Sequence, residues 1–325
     1  MNSASFIEFV KTAIYVGSWA IFPLIGLLIF KLRTWKRRSR NFALAGIALL
    51  TLLAYSRFIE PRILLTVSHQ TILERCFPQA GSLRLAVFAD MHLGGYPNSV
   101  AIGRIVRRVN KANPDLVFIA GDFTSGLAPA RVASTFLPLA SITAPVHAVA
   151  GNHDGGRLGP GIDKALVAAE DVMDVKMIDD LKVTATIAGQ KIEIVGISDL
   201  SQGHQKTSLF DGVEPLPRLA LTHNASTVGK IRRPKQNVDL MIAGHTHGGQ
   251  IYVPLLTCLI VHEAACQTKR YGFKEAPRGR VFVTSGTGLT ALPLRFNAAP
   301  RIDVIEVTWD ACADGVKRKK PKISR

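Results

Sequence analysis

Two long apolar runs open the chain, and short apolar segments of a different pattern follow them. Residues 12–31 are almost wholly apolar, and residues 42–59 are interrupted only by Ser56 and Arg57. At about 1.5 Å of rise per residue, the first run is long enough to cross a bilayer core of about 30 Å. We therefore predict a membrane anchor over residues 1–60 with one or two transmembrane helices, in which Pro23 kinks the first and Arg57 snorkels to the interface. A buried core helix would show the same composition.

Beyond the anchor, the pattern changes to that of a domain in which strands alternate with helices. Residues 61–82 lack clear periodicity and are interpreted as a connector. Residues 99–112 place apolar side chains at helical spacing, and 131–139 form a second helical candidate. The apolar or alternating runs that predict strands are 84–89, 116–120, 146–150, 183–187, 191–197, 218–222, 238–242, 280–284 and 302–307. The pattern predicts an α/β domain over residues 83–310.

The positive charge of the chain is concentrated in two segments. Residues 31–40 hold six lysines and arginines, and residues 317–325 of the tail (311–325) hold six more, so these two stretches account for twelve of the net charge of +16. The loop between the apolar runs is therefore expected to be cytoplasmic, with both chain ends and the domain outside the cytoplasm of a bacterial inner or plasma membrane. The domain itself is not strongly basic, so we expect no specific nucleic-acid partner. The tail has two readings, a ligand for anionic lipid headgroups or a solvated segment.

Five segments rich in histidine, aspartate and asparagine fall at the carboxyl ends of predicted strands, where open α/β sheets bind their ligands. The segment Gly244-His245-Thr246-His247-Gly248-Gly249-Gln250 follows an apolar run, and its glycines allow a sharp turn that aims both imidazoles into one cleft. The other four contain, in order, Asp90-Met91-His92, Gly121-Asp122, Gly151-Asn152-His153-Asp154 and His223-Asn224.

This set of side chains favours a metal site. Carboxylate, amide oxygen and imidazole together suit divalent Mn, Fe or Zn, whereas a structural zinc site would normally use cysteine, which none of the five segments contains. Asp122 is the candidate bridge, because one carboxylate can give an oxygen to each of two cations about 3.5–4 Å apart. Two such cations bind phosphate oxygens and supply a hydroxide nucleophile at neutral pH. Taken singly, each residue is equally a turn or capping residue; the ordered set favours a dinuclear site.

The ordered motifs resemble those of the calcineurin-like metallophosphoesterase superfamily. The resemblance extends from about Leu83 to Val307. The ending Gly248-Gly249-Gln250, with the segments 283–288 and 292–295, is similar to the membrane-associated bacterial branch that includes relatives of UDP-2,3-diacylglucosamine hydrolases of lipid A biosynthesis. The resemblance implies a four-layer sandwich of two mixed sheets flanked by helices, here preceded by the transmembrane region.

The resemblance also implies roles for individual residues. Asp90, His92 and His247 would hold the first metal together with Asp122. The second metal, also held by Asp122, would bind Asn152, His223 and His245. His153 would be the catalytic histidine that stabilises the phosphoryl transition state or protonates the leaving oxygen. For Arg295, contact with substrate phosphate and a surface ion pair are both open.

The chain departs from the family pattern at two positions. Many members carry a second aspartate three residues after the bridging one, where it orients the catalytic histidine, and this chain has Ser125 there. Serine carries no negative charge, so we expect it to orient the His153 ring less strongly than an aspartate would. Where the branch usually has Pro-Glu-Ile, the chain has Pro300-Arg301-Ile302.

The expected function is that of a membrane-anchored phosphoesterase with two divalent metals, manganese being the preferred ion in vitro. It would hydrolyse a phosphodiester or pyrophosphate bond of a phosphorylated small molecule or a lipid-linked substrate such as UDP-2,3-diacylglucosamine. One alternative is a nuclease or nucleotide phosphodiesterase, because related enzymes cut nucleic acid. Another is a non-catalytic scaffold, which degraded metal ligands would have favoured.

Four cysteines form an even set in a domain placed outside the cytoplasm, where disulfides persist. Cys258 and Cys266 are close enough in sequence to close a short loop. The alternative is that Cys76, Cys258, Cys266 and Cys312 are all buried small side chains.

Overall fold

A computed structural model describes residues 3–96, 100–156, 161–203, 205–231, 236–254, 257, 270–276 and 279–312. The helices are α1 Ser3–Gly17, α2 Ile21–Lys31, α3 Arg37–Ala54, α4 Ile102–Ala112, α5 Val132–Phe136, α6 Asp163–Ala168 and α7 Glu170–Met173. The strands are β1 Leu65–Ile72, β2 Gly81–Phe88, β3 Leu116–Ala120, β4 Val146–Val149, β5 Lys176–Met177, β6 Lys182–Ile187, β7 Gln190–Ile197, β8 Arg218–Thr222, β9 Leu240–Ala243, β10 Gly272–Ala276, β11 Gly279–Val283 and β12 Arg301–Trp309.

Two six-stranded mixed sheets pack face to face and confirm the expected four-layer architecture. The first has the order β1-β12-β2-β3-β4-β5, and the second has the order β10-β11-β9-β8-β7-β6. A shared core lies between them, where apolar side chains such as Leu85, Phe118 and Ile242 are buried. Helices α4–α7 cover the outer face of the first sheet, and short 3-10 segments cover that of the second. Helix α4 packs on the sheet through one apolar face, in which Ile105, Val106 and Val109 are buried at helical spacing. The helix ends at Asn113, which has a left-handed backbone conformation.

The direction of the strands determines where polar side chains meet. Strands β2, β3 and β4 run parallel in the first sheet, and β7, β8, β9 and β11 run parallel in the second. Because parallel strands end at the same edge, the residues that follow them converge there. This edge carries the candidate metal centre.

Two apolar helical stretches stand at the amino terminus. Residues Phe9–Lys31 and Arg37–Arg62 are long and apolar enough to span a membrane. A buried core helix does not fit the first stretch, because none of the residues of α2 is buried and large side chains such as Phe22 and Phe30 are exposed. A 3-10 turn, Ser18–Ala20, separates α1 from α2 just before Pro23. Proline clashes with the carbonyl four residues earlier, which accounts for a break at this position.

The structure corrects two expectations about this region. Arg57 does not snorkel away, because it is 4% exposed, lies 4.2 Å above the Tyr15 ring and donates to Ser18 Oγ at 3.1 Å. The segment 61–82 is not a featureless connector, since it contains β1 and the start of β2. Strand β1 lies at the edge of its sheet and exposes most of its side chains, so its sequence, with Thr66, Ser68 and Gln70, lacks an apolar run.

One disulfide, Cys76–Cys312, joins the β1–β2 connection to the segment after β12. The proposed Cys258–Cys266 bridge and most of the basic tail (residues 313–325) lie outside the described residues.

Candidate metal centre

Loops at one edge of the two sheets deliver all seven predicted ligands. Asp90 follows β2, Asp122 follows β3 and Asn152 follows β4. From the second sheet, His223 follows β8, and His245 and His247 follow β9. His92 lies two residues beyond Asp90. All are buried except His245, which is partly buried.

The first cluster contains Asp90, His92, Asp122 and His247. His92 Nε2 lies 3.0 Å from His247 Nε2 and 3.3 Å from Asp122 Oδ2. His247 Nε2 lies 3.6 Å from Asp90 Oδ1. One nitrogen or oxygen from each residue lies within 4.8 Å of the others, so their lone pairs converge on one small volume.

The second cluster contains Asp122, His223 and His245, joined by the amide of Asn152. His223 Nε2 lies 3.3 Å from Asp122 Oδ2, 3.0 Å from His245 Nδ1 and 3.1 Å from Asn152 Oδ1. The other ring nitrogen of His223 lies 2.8 Å from the Ala120 carbonyl. An N–H donated to that carbonyl fixes the tautomer and leaves Nε2 facing the cluster.

Asp122 joins the two clusters through a single oxygen. Its Oδ2 lies 3.3 Å from both His92 Nε2 and His223 Nε2, whereas its Oδ1 accepts the backbone N–H of His153 at 2.9 Å. The expectation that each oxygen faces one cation is therefore refined, because Oδ1 is held by the backbone and Oδ2 faces both clusters. Close approach of Gly151 makes this possible: a Cβ there would stand 2.2 Å from Asp122 Oδ1.

The backbone of the site is strained. Asp90, His92, Asp122, His245 and His247 all have φ between 46° and 72°, a region that non-glycine residues rarely adopt. Such conformations cost about 1–3 kcal/mol each and persist when the surrounding structure requires them, commonly at functional sites. The glycine neighbours allow the sharp turn, but the histidines themselves also carry left-handed φ values.

The electrostatics of the site favour positive charge between the carboxylates. Burial raises the pKa of Asp90 to about 6, although His223 opposes the shift. Burial also opposes ionisation of Asp122, but the neighbouring His223 and His92 outweigh it and hold the Asp122 pKa well below its usual range. For His223 burial acts to lower the pKa, yet Asp122 and Asp90 raise it to about 10. Divalent cations fit such a donor set of carboxylate, amide and imidazole groups.

His153 lies beside the first cluster. Its ring meets that of His92 edge to face with centroids 4.6 Å apart. Burial lowers the pKa of His153 to about 4, so the imidazole is neutral at pH 7. Its Nδ1 is buried and has no hydrogen-bond partner among the described residues. Ser125 does not replace the missing carboxylate, because it lies beside Gly95, and its N–H bonds the Leu93 carbonyl at 3.1 Å.

The structure corrects the expectation for Arg295. The side chain is fully buried, and all three of its nitrogens lie within hydrogen-bond distance of the loops behind the site. Nε donates to the Gly288 carbonyl at 3.0 Å, and Nη1 donates to the carbonyls of Ser285 and Ala298. Nη2 donates to Ser285 and Gly288 and lies 3.4 Å from His247 Nδ1. A guanidinium held in this way orients the loop around His247, and its complete burial excludes a surface ion pair.

Sequence reasoning gave no role to two further acidic residues. Asp154 accepts the backbone N–H groups of Gly151, Phe123 and Thr124, so it ties the Asn152 loop to the Asp122 loop. Asp199 is buried after β7, and its charge helps to raise the pKa of His223. The sequence did contain an indication for Asp199, because this residue also follows an apolar strand. Asp199 belongs to none of the family motifs, however, and was not selected.

Comparisons with known proteins agree with this geometry. The profile of the calcineurin-like phosphoesterase family matches residues 83–249. The chain is 28% identical to the uncharacterized metallophosphoesterase YkuE of Bacillus subtilis over 77% of this chain and 87% of that protein. It is also 28% identical to the phosphodiesterase YaeI of Escherichia coli, over 84% and 98% of the two chains. A transmembrane protein with a metallophosphoesterase domain from Danio rerio is 24% identical over 68% of this chain and 52% of its own.

The profile match spans more than half of the chain and includes every strand-end segment that forms the two clusters. The clustered aspartates and histidines are consistent with divalent metal ions, and the two relatives are named a metallophosphoesterase and a phosphodiesterase. The chain belongs to the calcineurin-like phosphoesterase family and is a metal-dependent phosphoric ester hydrolase.

Proposed function

We propose that this chain is a membrane-anchored phosphodiesterase with two metals, acting on a phosphodiester or pyrophosphate bond of a lipid-linked substrate. The observation that carries the proposal is the position of Asp122 Oδ2, which lies 3.3 Å from an imidazole nitrogen of each cluster. A carboxylate between two sets of donors would allow Asp122 to be shared by two cations, as in sites that use a pair of metals for phosphoester hydrolysis.

The proposed ligands divide between the clusters. Asp90, His92 and His247 hold one cation, and Asn152, His223 and His245 hold the other, with Asp122 shared. When bound, such cations supply Lewis acidity and a nucleophile at neutral pH, and manganese is the ion we expect to support activity. His153, neutral at pH 7, donates a hydrogen bond to a phosphoryl oxygen as charge develops there.

The anchor supports a substrate at the membrane. Two apolar helical stretches precede the domain, and the Danio rerio relative is named a transmembrane protein. A soluble substrate would not require such an anchor, whereas a phosphoester on a lipid is presented at the bilayer surface. UDP-2,3-diacylglucosamine has a pyrophosphate bond of the required chemistry, but a nucleotide-linked lipid suits the cytoplasmic face of the membrane. It is the candidate only if the domain faces the cytoplasm, whereas another lipid phosphodiester suits the opposite orientation.

Two features support a domain outside the cytoplasm. The loop between α2 and α3 is basic, which favours its cytoplasmic placement. The Cys76–Cys312 disulfide lies within the catalytic domain, and structural disulfides persist in oxidising compartments. Both observations favour the same orientation.

The test measures hydrolysis by the full chain in detergent. Bis(4-nitrophenyl) phosphate and 4-nitrophenyl phosphate serve as diester and monoester, with Mn²⁺ or with chelator. Asp122→Asn is compared with Asp171→Asn, a matched change at an exposed residue of α7. We expect metal-dependent diester hydrolysis that Asp122→Asn abolishes and Asp171→Asn leaves intact. Neither hydrolysis nor bound metal in the unmodified chain would refute the proposal, and cleavage of DNA alone would favour the nuclease alternative.

A further inference from the structure

Two buried arginines lie against one tyrosine ring, between the start of β10 and the start of β12. The Cζ atom of Arg301 lies 3.7 Å from the centroid of the Tyr271 ring, and that of Arg270 lies 4.9 Å from the same centroid. The two guanidinium groups are therefore no further apart than these two distances allow. Arg270 is 6% exposed and Arg301 is 8% exposed. Two positive charges are thus held close together and largely out of water.

The guanidinium of Arg301 lacks a full set of partners. Its Nε is buried and has no hydrogen-bond partner among the described residues. Its Nη1 lies 3.9 Å from Asp303 Oδ1, which is beyond hydrogen-bond distance, and that same oxygen lies 2.8 Å from His69 Nε2. One carboxylate that is shared in this way does not neutralise two guanidinium groups. Because an uncompensated charge is costly to bury, the pair favours an anion as its partner.

The contacts of Arg270 orient its charge without neutralising it. Its Nε donates to the Gly248 carbonyl at 2.7 Å, and its Nη2 donates to the Asn297 carbonyl. Its Cζ also lies 3.6 Å from the centroid of the Tyr252 ring. Carbonyl groups and aromatic faces carry no net charge, so they hold the guanidinium in place and leave it cationic. The fork of donors on an arginine matches the oxygens of a phosphate group.

The two arginines lie close to the domain-side end of the proposed anchor. The second apolar stretch ends at Arg62, and β1 begins shortly afterwards at Leu65. Leu65 is the register partner of Arg301 in the parallel pair of β1 and β12, so the two side chains share a face of the sheet. The Leu65 side chain is 40% exposed. An exposed apolar side chain beside a cationic pair suits a lipid, which carries both a phosphate and a hydrocarbon part.

We propose that Arg270 and Arg301 form a binding site for a phosphate group, and that its occupant is the phosphate of an anionic lipid headgroup. The site is separate from the two metal clusters, because neither arginine belongs to them. It is linked to them through the backbone, since Arg270 holds the carbonyl of Gly248, which follows His247, and the Arg270 carbonyl accepts from Thr246 Oγ1 at 2.7 Å. A bound headgroup would orient the domain on the bilayer and brace the turn that carries two of the proposed ligands.

The experiment measures binding to the full chain in a non-ionic detergent. The probes are dihexanoyl phosphatidylglycerol, dihexanoyl phosphatidylcholine and inorganic phosphate, each titrated by calorimetry with chelator present, so that no metal takes up the phosphate. The variants are Arg301→Gln and Arg301→Lys, because Arg270 also bonds two loops and its replacement would disturb them. Arg108→Gln, at an exposed residue of α4, is the matched control. The thermal midpoint of each variant shows whether it is folded.

We expect the unmodified chain to bind phosphatidylglycerol more tightly than phosphatidylcholine, because the ammonium group of choline is repelled by the two guanidinium groups. It should bind inorganic phosphate more weakly, because this ion has no hydrocarbon part. Arg301→Gln should weaken phosphatidylglycerol binding by about tenfold or more, the loss typical of a charge-assisted hydrogen bond. Arg301→Lys, which keeps the charge, should recover part of the affinity, and Arg108→Gln should bind as the unmodified chain does.

Equal affinity for phosphatidylglycerol in Arg301→Gln and Arg108→Gln would overturn the inference, as would equal affinity of the unmodified chain for the two lipids. Inorganic phosphate that binds as tightly as phosphatidylglycerol would overturn the assignment to a lipid.

A second measurement requires no variant and decides if Arg301→Gln does not fold. Excess inorganic phosphate should displace phosphatidylglycerol from the unmodified chain, and a failure to compete would contradict a site for a phosphate group. Hydrolysis of bis(4-nitrophenyl) phosphate with Mn²⁺ is measured on the same preparation without chelator. Its absence would count against the proposed function and leave the lipid result unaffected, so the two proposals fail separately.

Discussion

At the scale of single residues, the metal centre depends on backbone conformations that the side chains do not favour. Five of the seven proposed ligands have left-handed φ values. That strain is offset by the hydrogen bonds around them, such as those from the His245 N–H to both oxygens of Asp90 at 3.1 Å. Small changes next to a ligand should therefore affect metal binding more than global stability.

Gly151→Ala tests this idea. A Cβ at Gly151 would stand 2.2 Å from Asp122 Oδ1 and 2.5 Å from its backbone nitrogen, so the shared carboxylate must move. We expect loss of one or both bound metals and of diester hydrolysis. Gly229→Ala is the control, because no atom lies within 4 Å of its added Cβ. Metal analysis by mass spectrometry gives the readout, and two metals per chain in Gly151→Ala would contradict the prediction.

His153 and His223 should respond differently to alanine. His223 bonds within the second cluster, so its removal should empty at least that metal position. Among the described residues, the His153 ring meets the first cluster through its edge contact with His92, and the bond to Asp122 comes from the His153 backbone, which alanine keeps. His153→Ala should therefore keep both metals and lose kcat by about 100-fold or more, as expected for a group that acts only in the transition state. Measuring the metal content and kcat of both alanine variants distinguishes the role of His153 from that of His223. Loss of metal from His153→Ala would assign it to the ligands.

Arg295 should behave as a structural residue. Replacement by methionine leaves the carbonyls of Ser285, Gly288 and Ala298 without their donor in a buried region, which costs about 3–5 kcal/mol when the partners are charged or numerous. We expect a lower thermal midpoint in detergent and reduced occupancy at His247. A normal midpoint with only a raised KM would instead favour a substrate contact.

At the scale of elements, the pattern of apolar residues predicted the position of a strand correctly where the strand is buried on both faces. Strands β3 and β8 lie at the predicted residues, because each is a continuous apolar run inside a sheet. The pattern failed for β1, an edge strand with exposed side chains, and for β5, which has two residues. Helices α6 and α7 have six and four residues, too few to show a helical period.

The motif order likewise located the clusters but not their internal geometry. The sequence predicted Asp122 as the bridge, because one carboxylate can give an oxygen to each of two cations. Which of its oxygens faces the clusters depends on the His153 backbone, which no residue type encodes. The burial of Arg295 could not be predicted from its sequence neighbours, because the guanidinium is enclosed by carbonyls of the β11–β12 connection and by the His247 carbonyl only in the folded chain.

The disulfide links two elements of the first sheet, because it joins the β1–β2 connection to the segment after β12. Cys76 and Cys312 are separated by 236 residues, so the bridge restricts a long loop in the unfolded chain. Cys76→Ser with Cys312→Ser should lower the free energy of unfolding by about 2–4 kcal/mol under oxidising conditions. Under reducing conditions the two proteins should unfold alike. Equal stability in oxidised samples would show that the bridge does not form.

At the scale of the whole molecule, the two amino-terminal apolar helical stretches, which we propose as the membrane anchor, form one structure with the catalytic domain. The Ser56 carbonyl accepts the N–H of Arg295 at 2.9 Å, and the Arg62 carbonyl accepts from Arg104 at 2.9 Å. Glu60, which is 3% exposed, accepts the buried N–H of Ala298 at 2.7 Å. The end of the second apolar stretch thus supports the loop that holds Arg295, and through it His247. Removal of the anchor should therefore disturb the metal centre as well as the location of the protein.

Glu60 allows this coupling to be tested without truncation. Glu60→Ala leaves the Ala298 N–H unpaired in a buried position, which should lower the free energy of unfolding by about 1–3 kcal/mol. Glu60→Gln retains an acceptor oxygen of the same reach and should lose less. Both variants keep the two apolar helical stretches, so a lower thermal midpoint together with weaker metal binding in Glu60→Ala alone would show that the proposed anchor stabilises the active-site loop. Equal midpoints and metal content in the two variants would mean that the anchor only tethers the enzyme, and that a soluble fragment beginning at β1 should be fully active.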